Sequence, residues 1–121
     1  MKENFHDTLK IKMDRFVHLA YTASKEFPKE EVYGLTSQFR RAALSIVLNY
    51  IEGYARNRHL VLINFLEISY GSLKECKYLI SFSYKEGYLD ESIYKELLDL
   101  SEEIGAMLWT TLKSLRIKTE S

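Results

Sequence analysis

Four arginines stand out in a stretch that is otherwise largely apolar: Arg40 and Arg41 side by side, then Arg56 and Arg58, with Lys29 ahead of them. A guanidinium offers forked, permanently charged donors that match phosphate oxygens, so these cations are the candidates for holding a nucleic-acid backbone. Contacts of that kind position a strand without reading its bases. Successive helical residues point about 100° apart, so at least one of Arg40 and Arg41 leaves the core-facing seam. Nine tyrosines and six phenylalanines offer ring faces for stacking, but most fall on helical stripes, where core packing accounts for them. Asn49 and Glu52 lie three residues apart and share a helix face. They are expected to form a hydrogen-bonded structural pair at a helix or subunit contact.

Other chemistry is sparse. A di-iron site in a helical bundle needs several inward carboxylates and two Glu-x-x-His pairs. The chain has one such pair, Glu3 and His6, and the remaining histidines, His18 and His59, have no partner at ligand spacing. No metal or cofactor is expected. Neither a phosphate-binding loop nor a dinucleotide fingerprint is present, and no serine–histidine–acid arrangement is signalled. Glu67 and Glu75 read as solvated or ion-paired carboxylates. Cys76 is the sole cysteine; set between Leu73 and Leu79, with no histidine near it in sequence, it reads as a small buried hydrophobe. The expectation is a protein that is not an enzyme.

The elements that must position these groups are long helices. The 121 residues are expected to form one domain, residues 1–121, and contain one proline and five glycines, too few breaks for many short strands. Net charge is zero, so attraction to nucleic acid must come from a local patch. The charged N-terminus lacks the apolar core of a signal peptide, and no apolar run approaches bilayer length. A cytoplasmic protein without membrane contact is expected.

Leu9, Met13, Phe16, Ala20, Ala23 and Phe27 recur at helical spacing and predict a first helix over about Asp7–Glu26, capped by Asp7 or Thr8. Pro28 ends it. A second helix runs on to Arg56, with Lys29, Glu30 and Glu31 in its first turn and Leu35, Phe39, Ala42 and Ile46 on its seam. A further apolar row, Leu44, Val47, Leu48 and Ile51, implies a second buried face: a deeper place in the core or an interface between subunits. Asn57 is expected to cap a third helix reaching Lys85. Gly71, in its middle, predicts a closely crossing neighbour. Gly87 reads as a left-handed cap and Asp90 as the N-cap of a fourth helix over Glu91–Arg116, with Lys118–Ser121 frayed. Short connections favour an all-α, antiparallel, up-down-up-down four-helix bundle. The alternative is an extended hairpin of helices two and three that needs partner chains.

The segment FPKEEVYGLTSQFRRAALS, followed by N-x-x-EGY and Arg56, resembles the four-helix-bundle proteins encoded by intervening sequences in bacterial 23S rRNA genes, the S23 family. FLEISYGSLKE (Phe65–Glu75) and GYL (Gly87–Leu89) extend the resemblance over nearly the whole chain. Where the family often reads S-I-P-x-N-I-A-E-G, this chain has SIVLNYIEG, without the proline. The resemblance implies a bundle that assembles as a homopentamer, with no established enzymatic activity. Relatives include the accessory protein of diversity-generating retroelements, a pentamer that binds nucleic acid and a reverse transcriptase. It therefore implies RNA, DNA or a nucleic-acid enzyme as partner. A structural scaffold that engages a protein, without nucleic acid, is the alternative.

Overall fold

The computed structural model describes residues 4–120. Four helices, α1 (Phe5–Ser24), α2 (Leu35–Ala55), α3 (His59–Lys85) and α4 (Glu91–Glu120), are joined by short connections, and a 3-10 turn over Lys29–Glu31 precedes α2. Each helix packs on its chain neighbours, α1 closes the ring against α4, and the diagonal pairs do not meet. The expected antiparallel four-helix bundle follows.

The helix ends differ from the sequence expectation in informative ways. Asn4, not Asp7 or Thr8, caps α1: its Oδ1 accepts the Asp7 backbone N–H at 2.8 Å. Asp7 sits instead in the first turn, where its charge suits the positive end of the helix dipole. α2 does not begin at the proline break. The N–H groups of Glu31, Val32 and Gly34 bond to carbonyls three residues back, so tight turns replace the first turn of a helix and α2 starts only at Leu35. Asn57 does not cap α3. It adopts a left-handed conformation (φ 53°) and closes α2 in the place where glycine is common, while Arg58, the N-cap of α3, provides no side-chain cap.

Gly87 behaves as expected. With φ at 81° it donates to the Tyr84 carbonyl at 3.0 Å, and Tyr88 N–H reaches Ser83 O at 2.9 Å, which satisfies two carbonyls at the end of α3. Asp90 Oδ1 then accepts Ile93 N–H at 2.8 Å and starts α4. Lys118–Glu120 are helical, not frayed, and Ser121 lies outside the described residues. His59 Nε2 lies 3.0 Å from Leu115 O and 2.6 Å from Thr119 Oγ1, so the last turns of α4 are tied to the start of α3.

One continuous core fills the bundle. Leu9, Met13 and Phe16 meet Phe39, Ile46, Leu66, Leu73, Ile80, Leu97, Ile104, Leu108 and Leu112 in it. The α2–α3 pair packs most extensively, and small side chains permit it. Ala42 and Ala43 are buried, Ser69 donates to the Ile46 carbonyl at 2.6 Å, and the Ser45 and Ser72 hydroxyls are 2.7 Å apart. A methyl group on Gly53 would meet Phe65 Cβ at 3.0 Å and Leu62 Cδ1 at 3.1 Å. Gly71, by contrast, has nothing within 4 Å of where a Cβ would stand. The expected close crossing is absent there because Ser69 and Leu73 turn inward, which leaves Gly71 on the outer face.

Gly53→Ala is therefore expected to destabilise the bundle by about 1–3 kcal/mol through overpacking. Gly71→Ala should be neutral or stabilising by up to about 1 kcal/mol, because alanine is the better helix former. Urea denaturation of the two variants beside the parent checks both; equal effects at the two positions would contradict the packing described.

Candidate functional site

The five candidate cations do not converge. Arg41 and Arg56 are separated by about 22 Å along α2, at 1.5 Å per residue. Arg40, Arg41 and Lys29 lie toward the α1–α2 connection, whereas Arg56 and Arg58 lie at the far end. Arg40 faces inward: its Nε donates to Ser24 Oγ at 2.8 Å, a terminal nitrogen reaches Tyr21 O at 3.4 Å, and the guanidinium stands 4.7 Å over the Tyr21 ring. It thus serves a carbonyl in the last turn of α1, to which the Ser24 hydroxyl also donates at 3.1 Å. Arg56 Nε donates to Glu52 Oε1 at 2.8 Å, and its guanidinium lies over Phe65. Arg41, Arg58 and Lys29 are exposed and, among the described residues, form no ion pair.

Asn49 and Glu52 do not bond to each other. Asn49 Nδ2 donates to Ser45 O at 2.8 Å and Ser45 Oγ at 2.9 Å, while Glu52 is taken by Arg56. Both serve the local structure of α2, but as separate contacts.

The second apolar row on α2 splits in two. Leu44 and Val47 are half-buried and pack against the core. Leu48 and Ile51 remain 56% and 52% exposed. On the outer side of α3, Leu60, Ile68, Tyr78 and Phe82 are also exposed. This row was not singled out from sequence, although its signal is present: positions 60, 68, 78 and 82 fall on one helical stripe that advances by three or four, with Asn64, Gly71 and Glu75 between them. A groove of about 440 Å³, lined in part by Tyr33, Gln38, Arg41, Tyr78 and Phe82, opens at one end of this face.

The histidines and the thiol take structural places. Glu3 lies outside the described residues; its partner His6 sits with Nδ1 2.7 Å from the Tyr50 hydroxyl and its ring edge-on to Tyr54. His18 Nε2 is 3.5 Å from Asp14. Among the described residues no group of three or more His, Cys, Asp or Glu side chains is placed to hold a metal. Burial pushes the Cys76 thiol and the Tyr50 hydroxyl up, away from ionisation. Glu67 pairs with Arg116 at 2.7 Å and Glu75 accepts from Gln38. A hydrogen bond from Lys77 holds the Glu102 carboxyl below its ordinary range. No helix among the described residues is long and apolar enough to cross a membrane.

These features define an antiparallel four-helix bundle whose buried and half-buried polar groups are spent on its own helix ends and seams, and whose outer α2–α3 side carries an apolar row. A family model for 23S rRNA-intervening sequence proteins matches residues 9–110, and the chain belongs to that family. The fold is shared with the crystal structure of a protein of unknown function from the S23 ribosomal protein family of Bacteroides thetaiotaomicron VPI-5482. That likeness has a TM-score of 0.83 and 22% identity, and covers 91% of this chain and 99% of the other. No curated protein matches the chain significantly.

Two outcomes follow from the polar contacts. Arg40→Ala should cost about 1–3 kcal/mol, because Ser24 and the α1 carbonyl lose a charged donor, whereas Arg41→Ala should stay within about 0.5 kcal/mol; thermal or urea unfolding distinguishes them. Glu102, with its pKa lowered in the folded state, adds stability above its unfolded pKa that is lost as pH falls through the folded value. The gap in urea midpoint between the parent and Lys77→Met should therefore be measurable at pH 7 and close at pH 2.

Proposed function

We propose that this chain is a non-enzymatic, self-associating helical-bundle protein of the cytoplasm that acts by binding, with RNA, DNA or a nucleic-acid enzyme as its partner. One observation carries the self-association: the outer side of α2 and α3 presents Leu48, Leu60, Ile68, Tyr78 and Phe82 to solvent. Large apolar side chains gathered on one side of a bundle are expected at an interaction site. The opposite seam, between α1 and α4, is instead crossed by the ion pairs Lys12–Glu103 and Arg15–Glu96. A ring of copies, as family resemblance implies, would cover the apolar side and leave the charged one in water. Arg41, Arg58 and Lys29 remain candidates for phosphate contact, and Arg56 becomes one when Glu52 releases it. A reverse transcriptase is the partner that analogy to the retroelement accessory protein supplies.

The scaffold reading, in which the assembly engages only protein, is favoured by the internal engagement of Arg40 and Arg56. Two measurements separate the readings. Light scattering on the parent chain should give a mass several times 14.2 kDa, and Leu48→Glu with Ile68→Glu should return it to the monomer; a monomeric parent would refute self-association. Titration of labelled structured RNA and duplex DNA at several salt concentrations should show binding that weakens with salt. No binding at low salt would leave the protein-only scaffold.

A further inference from the structure

The groove between α3 and α4 carries a different combination of groups from the rest of the surface. Lys74 Nζ stands 5.1 Å from the centre of the Tyr70 ring. Tyr70 lies 5.8 Å from Trp109 across the helix pair, tilted by 42°, and the Arg116 guanidinium stands over the Trp109 ring at 5.6 Å. Lys74, Tyr70, Trp109 and Arg116 thus form a chain of successive contacts. Lys77 flanks these contacts on α3, and Lys113, four residues beyond Trp109 and so on the same side of α4, flanks them on the other helix.

The charge along these contacts is one-sided. Four cations, Lys74, Lys77, Lys113 and Arg116, face two carboxylates, Glu67 and Glu102. Those two are held by Arg116 and Lys77 respectively, while Lys74 and Lys113 form no ion pair among the described residues. At the floor of the groove the two helices come close: a Cβ on Gly105 would meet Leu73 Cδ2 at 3.2 Å. Trp109 is 49% exposed; an indole left half in water costs hydrophobic free energy unless something covers it.

We infer that this strip is a track for single-stranded nucleic acid, in which Trp109 and Tyr70 take bases by stacking and Lys74, Lys113 and Arg116 hold the phosphates. Non-sequence-specific single-strand sites combine these two elements, a basic path and ring faces that accept any base. A base stacking on Trp109 would take the indole face that the Arg116 guanidinium now covers, and Arg116 would turn aside to a phosphate. Duplex is disfavoured, because its bases are already stacked on each other and present no free face. The inference rests on the nucleic-acid reading given above and names a site for it that the candidate arginines of α2 do not include. The strip lies between α3 and α4, so an assembly through the outer α2–α3 side leaves it open.

Trp109 is the sole tryptophan, so its emission reports on the strip alone. The full-length protein is titrated with a 20-nucleotide poly-dT, a 20-nucleotide poly-rU and a mixed-sequence duplex of the same length, followed by Trp109 fluorescence and by anisotropy of labelled oligonucleotide. Saturable quenching by both single strands is expected, with weaker binding of duplex. Trp109→Ala should weaken single-strand affinity about fivefold or more, the loss of one stacked base. Lys74→Glu with Lys113→Glu, both at exposed positions, should weaken it further and flatten its salt dependence; this pair decides the matter if Trp109→Ala does not fold. Single-strand binding that leaves Trp109 emission unchanged and survives the paired lysine change would overturn the strip while leaving nucleic-acid binding in place. Absence of binding by any of the three probes overturns both.

Discussion

The close approach of α2 and α3 is the constraint on which the rest of the bundle depends. Two helices can come this near only where one side of the contact is nearly bare. Gly53 supplies that on α2, where a Cβ would meet Phe65 and Leu62, and Ser69 supplies it on α3 together with a hydroxyl that ends on the Ile46 carbonyl. The contact is therefore steric and polar at once: no larger residue fits, and the buried serine is satisfied. Pulling α3 close also decides what lies outside. Residues that flank the contact are forced outward, and Gly71, Tyr78 and Phe82 on α3 are among them. The apolar outer row is in this sense a by-product of the inner fit.

A second theme is how arginine is used. Three arginines on or beside the bundle's seams, Arg40, Arg56 and Arg116, each combine a hydrogen bond with a ring contact. The planar fork makes both possible together. Such groups add little free energy singly when exposed, but each joins two elements at a defined point. Arg40 fixes the end of α1 to α2, and Arg116 fixes α4 to α3. The chain, neutral overall, thus sorts its charge locally, with the acidic first half of α4 against Lys12, Arg15 and Lys77 and the basic last turns against Glu67.

Much of this was legible in the sequence, and the failures have physical causes. The four stripes, Gly87, Asp90 and the burial of Cys76 are local signals, read from spacing and turn chemistry. The assignment of Asn57 went wrong because asparagine serves both as an N-cap and as a left-handed residue, and only the path of the chain decides between them. The extended start of α2 went wrong because Lys29–Glu31 suits a 3-10 turn as well as an α-helix. Arg40 could not be told from Arg41 in advance: adjacent identical side chains differ only in which neighbour they face. The Tyr70–Trp109 contact was invisible for the opposite reason, since it joins residues far apart in sequence.

Cys76 is fully buried on α3, between its neighbours in the bundle, and no second thiol competes with it. A thiol reagent added to the native protein can reach it only through openings of the bundle. The rate of modification, divided by the rate for a free thiol at the same pH, then gives the population of those openings. The molecule in effect contains its own gauge of how often α3 leaves its place, readable without denaturant, label or mutation. It can be read before and after a partner is added.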